Sequence, residues 1–172
     1  TERFYIEHLF GLEKQSSFTY QVNNYTYPAY VTVTTIKTLF MMSEKDLLQK
    51  TIETIENEAR SQGLLLDNVS RISGERQINN LHRTMYVIFN GTDEVDGERI
   101  KIIGETWNCG LSGTSVICIG FAQVTDFSNG KTGENLVNWA AILRDEVGTF
   151  VKLYNGDTIF KGDGLIYNVK CH

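Results

Sequence analysis

The sequence predicts an α+β fold: a single antiparallel, meander-rich β-sheet packed by two α-helices in an α/β sandwich, forming one globular domain over residues 1–172. Three observations carry this. Long stretches alternate their side chains with a period of two or concentrate β-branched residues. Two segments repeat apolar residues at helical spacing. Short turns rich in glycine and asparagine join the extended stretches, as a meander requires. No internal repeat, low-complexity tract or composition break divides the chain, and 172 residues suit one domain.

The elements follow in order. Phe4, Ile6 and His8 alternate with Tyr5, Glu7 and Leu9 in a first strand, and Ser17 to Val22 form a second. Asn23-Asn24 is a turn signal, after which Tyr25 to Pro28 continues extended. Tyr30 to Phe40 is dense in Val31, Thr32, Val33, Thr34, Thr35 and Ile36, whose stiff χ1 favours a pleated backbone. Ser43 then offers an N-cap, with Glu44 and Asp46 near the positive helix end. Leu47, Leu48, Thr51, Ile52, Ile55 and Ala59 form one apolar stripe, and Gly63 follows as the left-handed C′ residue, so a helix spans 44–62. Four strands come next: 68–78, 83–90, 98–108 and 116–125. They are joined by Asn79-Asn80, an acidic loop over 91–97 and the glycine-bearing connection 109–115. Thr132 caps a second helix carrying Leu136, Trp139, Ala140, Leu143 and Val147, ended by Gly148. Strands at 149–154, 158–160 and 165–171 close the chain, separated by Asn155-Gly156-Asp157 and Gly162-Asp163-Gly164. This order resembles that of PsbP-like α+β sandwich domains. The likeness concerns the order of elements alone, and it implies a fold rather than an activity.

Composition narrows the function classes. A net charge of −5 argues against a surface built to neutralise phosphates, so no nucleic-acid partner is expected. No apolar run approaches the roughly 18 residues a bilayer span needs, so membrane attachment would require an anchor outside this sequence. The first residue is Thr1 and no Met precedes Met41, which suggests a processed or excised chain. Together with the sequons at Asn24, Asn68 and Asn90, this points to an extracellular or cell-surface location, with a cytoplasmic one as the alternative.

The most distinctive segment is Trp107-Asn108-Cys109-Gly110 through Cys118, where a large aromatic, an amide, two thiols and glycines meet at one hairpin end. It reads as a binding loop, pinned by a Cys109–Cys118 disulfide or by Cys171 pairing with either, or else as a tight hairpin with small buried side chains. A six-residue loop would set Cys109 opposite Val116, a diagonal placement that strains a bridge to Cys118. As a nucleophile Cys109 would need a base, and only His8, His82 and His172 are present, with no catalytic signature around the thiol. Asp93, Glu94, Asp96 and Glu98 lack the EF-hand pattern, as do Asp157 and Asp163, so they read as solvated turns and no metal is assigned. Gly130-Lys131-Thr132 resembles the end of a P-loop, but Thr125 stands where its first glycine belongs, and no cofactor is assigned. Tyr20, Tyr25, Tyr27 and Tyr30 form an aromatic cluster in which Tyr25 and Tyr27 share one face beside Pro28. That is either a contact surface for a partner or ordinary sheet packing.

The resulting expectation is an extracytoplasmic, non-enzymatic module that binds a protein or small ligand through Trp107, Asn108 and Cys109 or through Tyr25 and Tyr27. The alternatives are a hydrolase or thiol enzyme whose site assembles only in the fold, and a structural subunit of a cell-surface assembly with one sheet edge paired to a neighbour.

Overall fold

The computed structural model describes residues 4–8, 13–21, 29–37, 40–78, 81–126, 133–134, 136, 139, 142, 150–152, 158–160 and 164–170. Its strands are β1 (Phe4–His8), β2 (Glu13–Gln21), β3 (Ala29–Lys37), β4 (Leu64–Gln77), β5 (Arg83–Asp93), β6 (Arg99–Cys109) and β7 (Thr114–Gln123). These seven make one antiparallel sheet in the order β1-β2-β3-β7-β6-β5-β4. The predicted meander is therefore present as β4 to β7, each strand beside its successor. Two short pairs, β8 (Thr125–Asp126) with β9 (Gly133–Glu134) and β10 (Phe150–Lys152) with β11 (Thr158–Phe160), lie outside this sheet.

The helix α1 spans Glu44–Ser61. The Ser43 side chain accepts the Asp46 N–H at 3.1 Å, satisfying one of the donors that every helix start leaves open. Gln62 caps the other end and Gly63 adopts φ 73°, a conformation that costs glycine little. The buried positions are Leu47, Leu48, Thr51, Ile55 and Ala59, five of the six in the predicted stripe. Burying Leu47 and Ile55 stabilises the fold by roughly 1.5–3 kcal/mol each, as an upper estimate. The helix approaches β6 closely because Gly104 has no side chain there: a Cβ on it would stand 2.7 Å from Thr51 Cγ2 and 2.8 Å from Ile55 Cδ1.

Alternation then assigns the sheet's faces. Leu48, Ile55, Val87, Phe89, Ile100 and Ile102 form the core beneath α1. On the opposite face Val31, Ile103, Trp107, Val116, Cys118 and Ala122 pack with Trp139, Ile142 and Ile166 from the C-terminal part of the chain. Gly120 permits that contact, since a Cβ there would stand 2.5 Å from Ile142 Cγ2.

Several expectations are corrected. The β6–β7 turn holds four residues, 110–113, so Cys109 lies opposite Thr114 and Cys118 opposite Glu105. The two cysteines are thus offset by four residues along adjacent strands, about 13 Å at the usual rise, beyond the roughly 7 Å that a disulfide spans. Both are buried thiols, and no Cys109–Cys118 bridge forms. The stretch 165–171 is not a strand over its described part. Ile166–Asn168 form a 3₁₀ turn, in which the Asn168 amide donates to Gly164 O at 3.0 Å and Ile166 is fully buried. The alternation of Leu165, Tyr167 and Val169 mimicked a strand, but placing Ile166 against the sheet decides the local conformation. The turn expected at Asn79-Asn80 falls on residues outside those described, and beside it Leu81 adopts φ 65°. The second helix does not begin at Thr132 as expected: Gly133–Glu134 form β9 and Leu136 is not helical, whereas Trp139 and Ile142 are helical and buried, and the rest of the segment lies outside the described residues. Tyr25, Tyr27, Asn24, Lys131, Asp157, Asp163 and Cys171 also lie outside.

Candidate functional site

Where α1 leaves the sheet, its last turns and strands β3, β7 and β6 enclose an apolar cleft of about 70 Å³. Ile55 and Ala59 form the helix wall, and Ile102, Ile119 and Phe121 form the floor. The small side chain of Ala59, buried at 2% exposure, is what keeps the wall from filling the space. Tyr30 and Phe121 sit opposite each other in the β3–β7 ladder and stack with centroids 5.1 Å apart and planes 14° apart. Burial, and then the nearby Glu58 carboxylate, push the Tyr30 hydroxyl above its ordinary pKa. At the mouth the Gln62 amide donates to Glu58 Oε1 at 2.5 Å, so a polar rim borders an apolar interior.

Cleft size limits what can bind. Sites for drug-sized ligands run to roughly 300–1,000 Å³, and a dry cavity that admits benzene is about 150 Å³. The space here suits the tip of one aliphatic side chain rather than a whole metabolite.

The residues singled out in the β6–β7 hairpin occupy different surroundings. Trp107 and Cys109 are fully buried, with Trp107 facing the C-terminal side of the sheet and stacked on His82 at 6.4 Å. Asn108 donates to Met42 O at 2.8 Å and accepts from the Ser115 hydroxyl at 2.6 Å. It thereby ties the approach to α1 onto the hairpin, a structural task. Burial first, and then the neighbouring Glu105 carboxylate, push the Cys118 thiol well above its usual range, which suppresses the nucleophilic thiolate.

A charged cluster that sequence reading missed lies on the same face. Arg76 Nε donates to Glu105 Oε1 at 2.8 Å and its Nη2 to Oε2, forming a bidentate pair. The Thr84 hydroxyl donates to Oε1 at 2.5 Å. Glu105 is 0% exposed and Arg76 7%. Charge and hydrogen-bonding capacity are matched inside the sheet, so the cluster fixes how β4, β5 and β6 meet and offers no reacting group to a substrate. Glu105 alternates with Ile103 and Trp107 on a buried face; that was the available signal, but its partner stands 29 residues away.

The acidic segment is a hairpin turn. Asp93 accepts the Val95 N–H at 2.7 Å and Asp96 the Glu98 N–H at 3.0 Å, while burial and then Asp96 push the Glu98 carboxyl upward. Of the sequons, Asn68 is exposed, whereas the Asn90 side chain is engaged by Ser70 and Lys101. No helix among the described residues is long and apolar enough to cross a membrane. No protein-family model, curated protein or solved structure matches the chain, so the likeness in element order to PsbP-like domains brings no function with it.

Proposed function

We propose that the protein is a non-enzymatic binding module, exported or displayed at the cell surface, which recognises a protein partner through one aliphatic side chain inserted between α1 and the β3–β7 edge of the cleft. The observation that carries this reading is the open apolar cleft beneath Ala59, floored by Phe121 and rimmed by Glu58 and Gln62. A small apolar pocket with a polar border is the form that interface hot spots take, since a central anchor is desolvated while its rim supplies hydrogen bonds. The buried state of both described thiols and the closed Arg76–Glu105 pair weigh against the thiol-enzyme alternative.

Selection from a random-peptide library on the immobilised protein tests the proposal. Enriched peptides should share a Leu, Ile or Val anchor, and Ala59→Leu, which fills the cleft from its own wall, should weaken their binding by about tenfold or more. Peptides that lack an aliphatic anchor, or that bind Ala59→Leu as well as the parent, would remove the cleft from consideration.

A further inference from the structure

A second surface, independent of the cleft, lies at the outer edge of β4. Ile78 donates its N–H to His82 O at 3.1 Å, and the β4–β5 register runs unbroken from Gln77↔Arg83 to Ile72↔Ile88. Antiparallel ladders alternate hydrogen-bonded and non-hydrogen-bonded pairs. The even-numbered residues from Ile72 to Ile78 therefore direct their backbone groups to β5, and Ser73 and Glu75 turn theirs outward. No strand pairs with that edge among the described residues. The segment is delimited by a bulge: residues 68–71 stand opposite Phe89 alone, folded by Asp67 accepting the Val69 N–H at 2.9 Å.

We propose that two copies of this chain pair antiparallel along the outer edge of β4, about a two-fold axis at Ser73, so that the sheet continues from one copy into the next. Three features of the edge agree on this register. The outward backbone groups of Ser73 face Ser73 of the second copy, giving about two hydrogen bonds at the axis, and the Arg71 side chain of each copy comes opposite Glu75 of the other. The charges then alternate along the α1 face. Arg71 already lies 3.9 Å from Glu56 and over the Phe89 ring, and Glu75 is paired with Arg83. Across the axis the strip reads Glu56, Arg71, then Glu75 and Arg83 of the second copy, and symmetry repeats it. Moving the axis by two residues either way sets Arg71 against Arg71 or Glu75 against Glu75, which like-charge repulsion disfavours. On the opposite face Ile72, 56% exposed, comes to rest over Gly74 of the second copy, where the Tyr86 ring crosses the missing side chain with its hydroxyl 2.8 Å from a Cβ position. The second copy thus covers an apolar residue that the monomer leaves in water. A contact of this length falls below the roughly 1,200 Å² of a standard interface, so the dimer forms reversibly at high concentration.

Sedimentation equilibrium of the whole chain, followed from about 10 μM to 1 mM, tests this over the range where such small contacts register. The parent should pass from monomer to dimer and stop there. Arg71→Glu and Glu75→Arg each oppose like charges at both ends of the pairing and should each raise the dimer dissociation constant by about tenfold or more. Mixed together, the two variants oppose unlike charges again and should associate as the parent does. Ser73→Pro removes an outward N–H without touching the β5 ladder and should also give a monomer, with its own melting curve confirming the fold. A parent that stays monomeric at the highest concentration would overturn the proposal. So would charge variants that dimerise as well as the parent, or a mixture that associates no better than either alone.

Discussion

Beneath α1 the sheet is closed mainly by aliphatic and aromatic side chains, with Thr51 and Ile55 over Gly104, whereas its opposite face adds to an apolar core a buried bidentate ion pair, a thiol and an indole. Both faces are buried, yet they are specified differently. The α1 face follows from a helical stripe meeting an alternating strand, a non-directional fit in which shape matters more than identity. The opposite face contains Glu105, which is tolerable only because Arg76 and Thr84 meet it at 2.8 Å or less. A directional arrangement of that kind fixes the register of β4 against β6 across β5, and it makes the face intolerant of losing one member.

The largest expected effect follows from breaking that arrangement. Glu105→Ala leaves a guanidinium buried at 6% side-chain exposure without its counter-charge, and should lower the unfolding free energy measured in urea by about 3–5 kcal/mol. Replacing the pair together, as Arg76→Met with Glu105→Leu, should recover most of that loss, because no charge is then left unmatched. If Glu105→Ala costs no more than about 1 kcal/mol, an ordinary single-site effect, the two faces are energetically alike and the contrast fails.

The α1 face offers a smaller perturbation of the opposite kind. Gly104→Ala adds one carbon where Thr51 and Ile55 stand within 2.8 Å, so the helix must lift or its rotamers must shift. Overpacking of this sort costs typically about 1–3 kcal/mol, and Thr51→Ala in the same chain should return part of it by vacating one of the two contacts. Additive losses in the double variant would show that the contact at Gly104 does not set the spacing of helix and sheet.

The same contrast explains what the sequence disclosed. Ser43, the stripe from Leu47 to Ala59 and Gly63 are local signals within one helix, and the structure has them in place with Ile52 alone of the stripe half-buried. The meander was legible because each of its turns is contained in a few residues. The β6–β7 register was not. Cys109 and Thr114 both suit a strand, nothing local marks where pairing stops, and a two-residue difference moves Cys109 from Val116 to Thr114 and removes the geometry for a bridge. The 3₁₀ turn at Ile166 answers to the space above Gly120, 46 residues earlier in the chain, and alternation in 165–169 cannot report that. At the cleft, Tyr30 was visible as one of an aromatic group. Its stacking on Phe121 and its place beside Ala59 depend on three elements meeting, which no spacing within one of them encodes.

The smallest effect lies at the edge of the α1 face, where the aliphatic rule gives way to one titrating hydroxyl. Tyr30 is shifted upward from 10.0, by burial first and by Glu58 second. The native state therefore holds its proton to higher pH than the unfolded chain does. Below about pH 10 both states are protonated and the hydroxyl adds no pH dependence. Above it the unfolded state ionises first, binds fewer protons, and stability falls as pH rises through the folded value. Tyr30→Phe should leave the urea midpoint at pH 7 nearly unchanged and flatten the alkaline decline, and Glu58→Gln should flatten it less, since burial is the larger cause. Equal flattening by both variants would mean that charge repulsion rather than desolvation governs the mouth of the cleft, and the α1 face would then share the electrostatic character of the face behind it.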